Sequence, residues 1–332
     1  MAGAIRAGIT GIGAAQGSKL VTNEEIGAPL GISSEWIVER SGIRERRILG
    51  EGQQLVDLIT ASCTDALAVA GRDAADVDLF LVATLTPDDL CPAQSVSAAE
   101  ALGIPQSTVV ADLNAACTGF VTSLGHAAAM VESGRAQCAL VCGADALSRV
   151  TDFSDPKSAP LFGDGAGAVI VQAVDGAGIG PMVGGHDNQR RQLHMTIADR
   201  NIIHMRGREV YTNAVARISD ATLKSLAAVG KTIDQMDMLV AHQANARIIE
   251  AVGEKLGLRT DQAVLEIEDV GNTSSASIPI ALTRLLASGR LAEGATAVLT
   301  GFGGGYVWSS LVVEFGPLVP VAGAAGTVGL SA

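Results

Sequence analysis

Two segments far apart in the chain repeat one pattern, and this duplication restricts the fold more than any other feature. An acidic turn with an apolar run, "DVDLFLVATLTP" (Asp76–Pro87), is matched by "QMDMLVAHQAN" (Gln235–Asn245). Later, "ACTGFVTSLGHAAAMVESGR" is matched by "GNTSSASIPIALTRLLASGR". Each is a small-residue turn leading into helical periodicity that stops at Ser-Gly-Arg. A strand-like run follows each, "AQCALVCGAD" and "GATAVLTGFGGG". Strands alternating with helices in both copies predict mainly parallel sheets covered by helices. The first half is expected to end after "AGAVIVQAV", near Ala173, giving halves 1–173 and 174–316. No Pro/Ser-rich linker separates them, so they are expected to pack as one body. The tail 317–332, without periodicity or charge, reads as loose.

The register of the repeat selects the residues worth asking about. Cys117 lies 18 residues before Arg135, and Asn272 lies 18 residues before Arg290, so the two occupy one station. His242 ends the strand that corresponds to "DLFLVAT". Ligands of such sheets gather beyond the carboxyl ends of strands, where all three fall. A thiol at a helix N-terminus faces unpaired N–H groups and the positive end of the helix dipole, which together favour the thiolate. Cysteine, histidine and a carboxamide are the parts of a nucleophilic acyl-transfer site, and "GFGGGY" (Gly301–Tyr306) offers backbone that can approach an oxyanion. Taken singly, each piece is ordinary: a buried small apolar residue, a structural imidazole, a helix cap. Their placement on matching stations separates them from that background.

Composition narrows the classes. The 332 residues are 48% hydrophobic and 17% charged, which excludes a disordered chain. No apolar run is long enough to span a bilayer, no secretory leader is evident, and the chain reads as cytosolic. Five scattered cysteines argue for reduced thiols over a disulfide framework. The C-x₃-C pair Cys138 and Cys142 lies in a strand-like run and does not make a zinc site. A net charge of −12 disfavours nucleic acid or an anionic membrane. Anionic partners then require a local basic patch, for which "RSGIRERR" (Arg40–Arg47) and the set Arg247, Lys255 and Arg259 are candidates. "GIGAAQG" (Gly11–Gly17) has the wrong spacing for a dinucleotide loop. "FGDGAGA" (Phe162–Ala168) lacks the Lys-Ser/Thr of a phosphate loop and reads as a tight turn between strands.

Six segments in order, "WIVERSGIRERRI", "NAACTGF", "LFGDGAGA", "HQANARIIEAVGEKLGL", "GNTSSASIP" and "FGGGYVW", resemble the 3-oxoacyl-ACP synthase III family. The likeness runs from about residue 5 to 315. It implies an α/β, thiolase-like duplicated fold in five αβαβα layers, assembled as a homodimer. It implies that Cys117 takes an acyl group from acyl-CoA, without a cofactor or metal. His242 and Asn272 would bind the thioester of malonyl-ACP and stabilise the enolate left when CO₂ departs. The N–H groups of Cys117 and Gly304 would form the oxyanion hole, with Phe302 beside the malonyl carboxylate. Trp36, Arg40, Gly207, Arg208 and Asn245 match positions lining the CoA and pantetheine channel. Arg247 and Lys255 match the patch that receives the acidic carrier protein.

Three departures stand out. Pro156 occupies a station where the family often has an arginine against the adenine, which weakens the expected CoA grip. Cys91 replaces a bulky phenylalanine that reaches across the dimer, so a primer longer or more branched than acetyl is expected. Thr212 replaces a basic residue of the carrier patch. The competing readings are an acyltransferase that passes the Cys117-bound group to a small acceptor without decarboxylation, and a non-catalytic binding subunit. Intact Cys117, His242 and Asn272 favour condensation over both.

Overall fold

The computed structural model describes residues 6–176, 178–187, 193–195 and 202–318. The chain opens with β1 (Arg6–Gln16), β2 (Lys19–Thr22), α1 (Asn23–Leu30), α2 (Ser34–Ser41), β3 (Glu45–Ile48) and α3 (Leu55–Ala70). There follow β4 (Leu79–Ala83), α4 (Gln94–Leu102), β5 (Val109–Leu113), α5 (Gly119–Glu132), β6 (Cys138–Ala146) and β7 (Asp164–Val174). The second part carries β8 (Val183–His186), β9 (Leu193–Met195), β10 (Ile203–Met205), α6 (Gly207–Ala228), β11 (Met238–Ala241) and α7 (Ala246–Leu256). It closes with α8 (Ser277–Ala287), β12 (Thr296–Gly303) and β13 (Val307–Glu314).

The duplication is visible in strand order. The first sheet runs β1-β7-β6-β4-β5 and the second β8-β13-β12-β11. Both read antiparallel, antiparallel, parallel from the β1 or β8 edge. The first sheet adds a parallel β4–β5 pair, and a parallel bridge between Leu239 and Ala263 stands at the same place in the second. The sheets are therefore mixed, which corrects the expectation of mainly parallel ones. The reason is local: β7 and β13 each return beside the preceding strand without a crossover helix.

Five layers result, α3 and α4, the first sheet, α5 and α8, the second sheet, then α6 and α7. The middle layer is the core. Phe120, Val121 and Leu124 of α5 and Ile278, Leu282 and Leu285 of α8 are buried in one cluster with strands of both sheets. Their spacing of three or four residues is the helical period, and both sides of each helix are covered. Each such side chain contributes about 1.5–3 kcal/mol by leaving water. Leu318, the second residue of the segment read as a loose tail, packs against this cluster; residues 319–332 of that tail lie outside the described residues.

"FGDGAGA" is not a turn: Asp164–Val174 is one buried strand. Its glycines serve close packing of α8 on β7. A Cβ on Gly167 would lie 2.8 Å from Pro279 Cβ and Cγ and 3.0 Å from Ile280 N. "RSGIRERR" is not an open basic patch either. Arg46 is fully buried and donates to the carbonyls of Val21 and Pro160 and to Asn23 Oδ1, while Arg44 pairs with Glu268.

Because Pro279 is rigid, Gly167→Ala forces backbone movement. It is expected to destabilise the protein by about 1–3 kcal/mol in urea unfolding, whereas a loss near zero would refute the close-packing role of Gly167.

Candidate active site

Cys117 precedes α5, whose N-cap is Thr118. Asn272 precedes the 3₁₀ turn Ser274–Ala276 that runs into α8. His242 follows β11 and extends its ladder by donating its N–H to the Thr300 carbonyl at 2.8 Å. The ends of two helices and two strands thus meet, and Cys117, His242 and Asn272 line one cavity of about 1600 Å³. Ser274 Oγ donates to Cys117 Sγ at 3.6 Å, a contact between the halves. Among the described residues, three non-glycine residues have positive φ: Ala116 (48°), Ser274 (52°) and Tyr306 (56°). They flank Cys117, Asn272 and the Gly303–Gly305 turn, and each costs on the order of 1–3 kcal/mol, strain that sits around the cavity.

The β12–β13 turn comes so close to the nucleophile that Gly303 has no room for a side chain: a Cβ would lie 2.8 Å from Cys117 N. That approach brings the Gly304 amide beside the sulfur, where it acts together with the Cys117 amide. The two N–H groups are placed to hold an oxygen that develops negative charge on a carbonyl attached to that sulfur.

The charge state of Cys117 departs from the expectation of a thiolate. Burial pushes the thiol up to about 11, and the Asp145 carboxylate adds to the rise. The Ser274 hydroxyl and the two amides act in the opposite direction without overcoming it. At this half-buried position the cost of desolvating a charge exceeds what the helix end returns. Burial also lowers His242 to about 4, so its imidazole is neutral at physiological pH. Asn272 Oδ1 accepts from the Ser274 N–H at 2.9 Å, which turns the amide NH₂ away from that bond as a donor. A neutral imidazole and a carboxamide donor beside a thiol can stabilise an oxyanion without taking on charge.

Asp145 ties the site together. Its Oδ1 accepts from Leu85 N–H and the hydroxyls of Thr84 and Thr86. Its Oδ2 accepts from Ser275 N–H at 3.2 Å and Ser275 Oγ at 2.7 Å. One buried carboxylate therefore bolts the first half to the turn that carries Asn272. Neither Asp145 nor Ser274 was legible as functional in the sequence. The available signal was a turn, "NTSSAS", with more hydroxyls than a helix cap needs.

The other expected residues divide. Trp36, Arg40, Gly207, Arg208, Asn245, Arg247, Phe302 and Gly304 line the same cavity. The Arg40 guanidinium stacks on Trp36 at 4.2 Å, and the Asn245 amide links Arg40 O to the Arg247 N–H. Lys255 lies on the exposed last turn of α7, away from the cavity. Arg259 is paired with Asp261. Cys91 is exposed and does not line its own chain's cavity. Lys157 and Arg206, which the sequence did not single out, line the mouth beside Pro156. They bring positive charge to the station where the arginine is missing. Among the described residues no group of His, Cys, Asp and Glu could hold a metal ion, and no helix is long and apolar enough to cross a membrane.

Two copies of one α/β unit, with a thiol from the first and an imidazole and carboxamide from the second on a shared cavity, define a protein of the thiolase-like class. Family models agree in detail. The model of 3-oxoacyl-[acyl-carrier-protein] synthase III matches residues 111–188, and that of its C-terminal part matches 226–315. The β-ketoacyl-[acyl-carrier-protein] synthase III of Rhizobium meliloti (strain 1021) is 38% identical over 323 residues, covering 94% of this chain and 100% of its own. The crystal structure of 3-oxoacyl-(acyl carrier protein) synthase III from Pseudomonas aeruginosa PAO1 superposes with a TM-score of 0.90 at 36% identity, covering 95% of this chain and 100% of that one. The priming β-ketosynthase of the R1128 polyketide pathway gives 0.90 at 35%, covering 95% and 97%. The chain belongs to the 3-oxoacyl-ACP synthase III family.

The raised thiol makes a specific prediction. Alkylation of Cys117 by iodoacetamide, followed by peptide mass spectrometry, should keep accelerating up to about pH 11. A small free thiol such as N-acetylcysteine serves as the external control, levelling off near the ordinary thiol range of about 8.5. A Cys117 profile that levels off with the free thiol would contradict the burial argument.

Proposed function

We propose that the chain condenses an acyl-CoA primer with malonyl-ACP, with loss of CO₂, to give 3-oxoacyl-ACP and so start a fatty acid or polyketide chain. The observation that carries this reading is the convergence of Cys117, His242 and Asn272 on one cavity at the seam of the halves. In the first half-reaction Cys117 Sγ attacks the primer's thioester carbonyl. The Cys117 and Gly304 amides hold the tetrahedral oxyanion as the C–S bond to CoA breaks. The proton of the Cys117 thiol leaves with the CoA sulfur, so the thiol needs to be ionised only transiently.

In the second half-reaction the malonyl thioester oxygen is held by His242 and Asn272. As the C–C bond to the carboxylate breaks, its electron pair moves into the enolate, and two neutral donors stabilise the new charge. Buried Phe302 offers the departing carboxylate an apolar wall, which favours its loss as CO₂. The enolate carbon then attacks the acyl-Cys117 carbonyl and expels the Cys117 thiolate. No cofactor is required, with acyl-CoA a substrate. Arg40, Arg208, Lys157 and Arg206 at the mouth suit the phosphates of CoA and the carrier's phosphopantetheine. Arg247 and Lys255 offer the acidic carrier a basic surface on an otherwise acidic enzyme.

A homodimer is part of this reading. Among the described residues strand β5 is an unpaired sheet edge, with Val109 61% exposed, and Leu90 in the β4–α4 loop is 93% exposed. Its carboxylate, Asp112, is exposed and accepts from the N–H groups of Gln94 and Ser95 at the start of α4. An open edge with four apolar residues out of five suits pairing with a second copy, and the exposed loop would carry Cys91 to the partner's cavity. A small side chain there suits a primer bulkier than acetyl. Light scattering is expected to give twice the mass of one chain, and a monomer at micromolar concentration would remove this part.

Mass spectrometry tests the chemistry. Cys117→Ala should abolish acyl loading from acyl-CoA. Asn272→Ala should load normally but release CO₂ from malonyl-ACP about 10²–10³-fold more slowly. Loading without CO₂ release in the wild type would instead support simple acyl transfer.

A further inference from the structure

His242 lines the cavity, but its Nδ1 does not face it: that nitrogen lies 2.7 Å from Ser277 Oγ. Ser277 is the first residue of α8, 2% exposed, and is not part of the cavity wall. Its hydroxyl oxygen also accepts the Gln243 N–H at 3.2 Å. The Gln243 side chain is itself tied down, donating to the Ala241 and Val264 carbonyls and accepting from the Glu266 N–H. The hydroxyl is thus held against the imidazole by the same backbone that carries it. With one lone pair taken by Gln243, the O–H hydrogen needs an acceptor, and among the described residues the only partner left within reach is His242 Nδ1.

We propose that Ser277 is a positioning residue that fixes the tautomer of His242, keeping Nδ1 as an acceptor and the proton on Nε2. The opposite tautomer would place Nδ1–H against a hydroxyl that already accepts one hydrogen bond. It would also leave a buried O–H unpaired, the costlier arrangement. Since burial keeps the imidazole neutral, the face it turns to the cavity is a fixed N–H donor and not a bare nitrogen. The proposal deepens the role given to His242 above. It makes His242 the second donor beside the Asn272 amide at the enolate oxygen, and it denies His242 the part of a base for Cys117. The proton of Cys117 then has no acceptor among these groups, which fits its departure with the CoA sulfur.

The test is ¹⁵N NMR of the full chain labelled at histidine, with His242→Ala used to assign the signals. Wild-type His242 is expected to show a pyrrole-type shift at Nε2 and a pyridine-type shift at Nδ1 near neutral pH. Ser277→Ala should mix the two forms and slow malonyl-ACP decarboxylation about tenfold or more, while loading of Cys117 from acyl-CoA stays within about threefold, since the amide oxyanion hole is untouched. A wild-type imidazole protonated on Nδ1 would overturn the assignment even if the variant failed to fold. So would Ser277→Ala decarboxylating at the wild-type rate. If the wild type carried the expected tautomer yet neither loaded nor decarboxylated, the proposed reaction would fail while the tautomer assignment stood.

Discussion

Everything at the site depends on the central layer, where α5 and α8 are buried between two sheets. A helix covered on both sides cannot shift along its axis without opening contacts to both sheets, and close-packed interiors resist that strongly. The two N-terminal ends are therefore fixed relative to each other. Cys117 stands at one and Asn272 at the other, and the Ser274–Cys117 contact crosses between them. Asp145 adds a polar bolt at the same place, with five donors from both halves on one carboxylate. The positive-φ residues Ala116, Ser274 and Tyr306 surround this point, so the stability of the middle layer supports strain where the chemistry is placed.

The electrostatics follow from the same enclosure. Burial raises Cys117 and lowers His242, which favours the neutral form of both. The thiol and imidazole therefore carry no standing charge and are poised for charge that appears only during reaction. Preorganised N–H donors are worth most under those conditions, because they need no reorganisation when the oxyanion forms. The acidic surface of the whole chain and the cations gathered at the cavity mouth make a complementary arrangement on a longer scale. Anionic substrates are repelled broadly and accepted at one place.

Much of the architecture was legible in the residues. The repeat located matched strands and helices, because apolar periodicity and acidic turns are local properties that survive duplication. It also picked out Cys117, His242 and Asn272 through their shared stations. Less legible was strand direction: β7 and β13 return antiparallel, which depends on how each chain segment turns back and not on its own composition. "FGDGAGA" misled for a similar reason. Its glycines look like a turn in isolation, yet they serve contact with Pro279 and Ile280, more than a hundred residues away. Arg46 misled too, since a run of arginines looks exposed until the carbonyls that surround one of them are known.

By itself, then, the order of residues determined the duplicated α/β plan, the three side chains that meet at one cavity and an acidic chain with a few local basic clusters. These rest on patterns within short windows and on residue chemistry. Only the tertiary structure decided that burial pushes the Cys117 thiol up, that Ser277 meets His242, and that Asp145 joins the halves. Those outcomes arise from burial and from contacts between groups distant in the chain. The free energy of a charge or a hydrogen bond depends on its surroundings, and those exist only once the two copies have packed together.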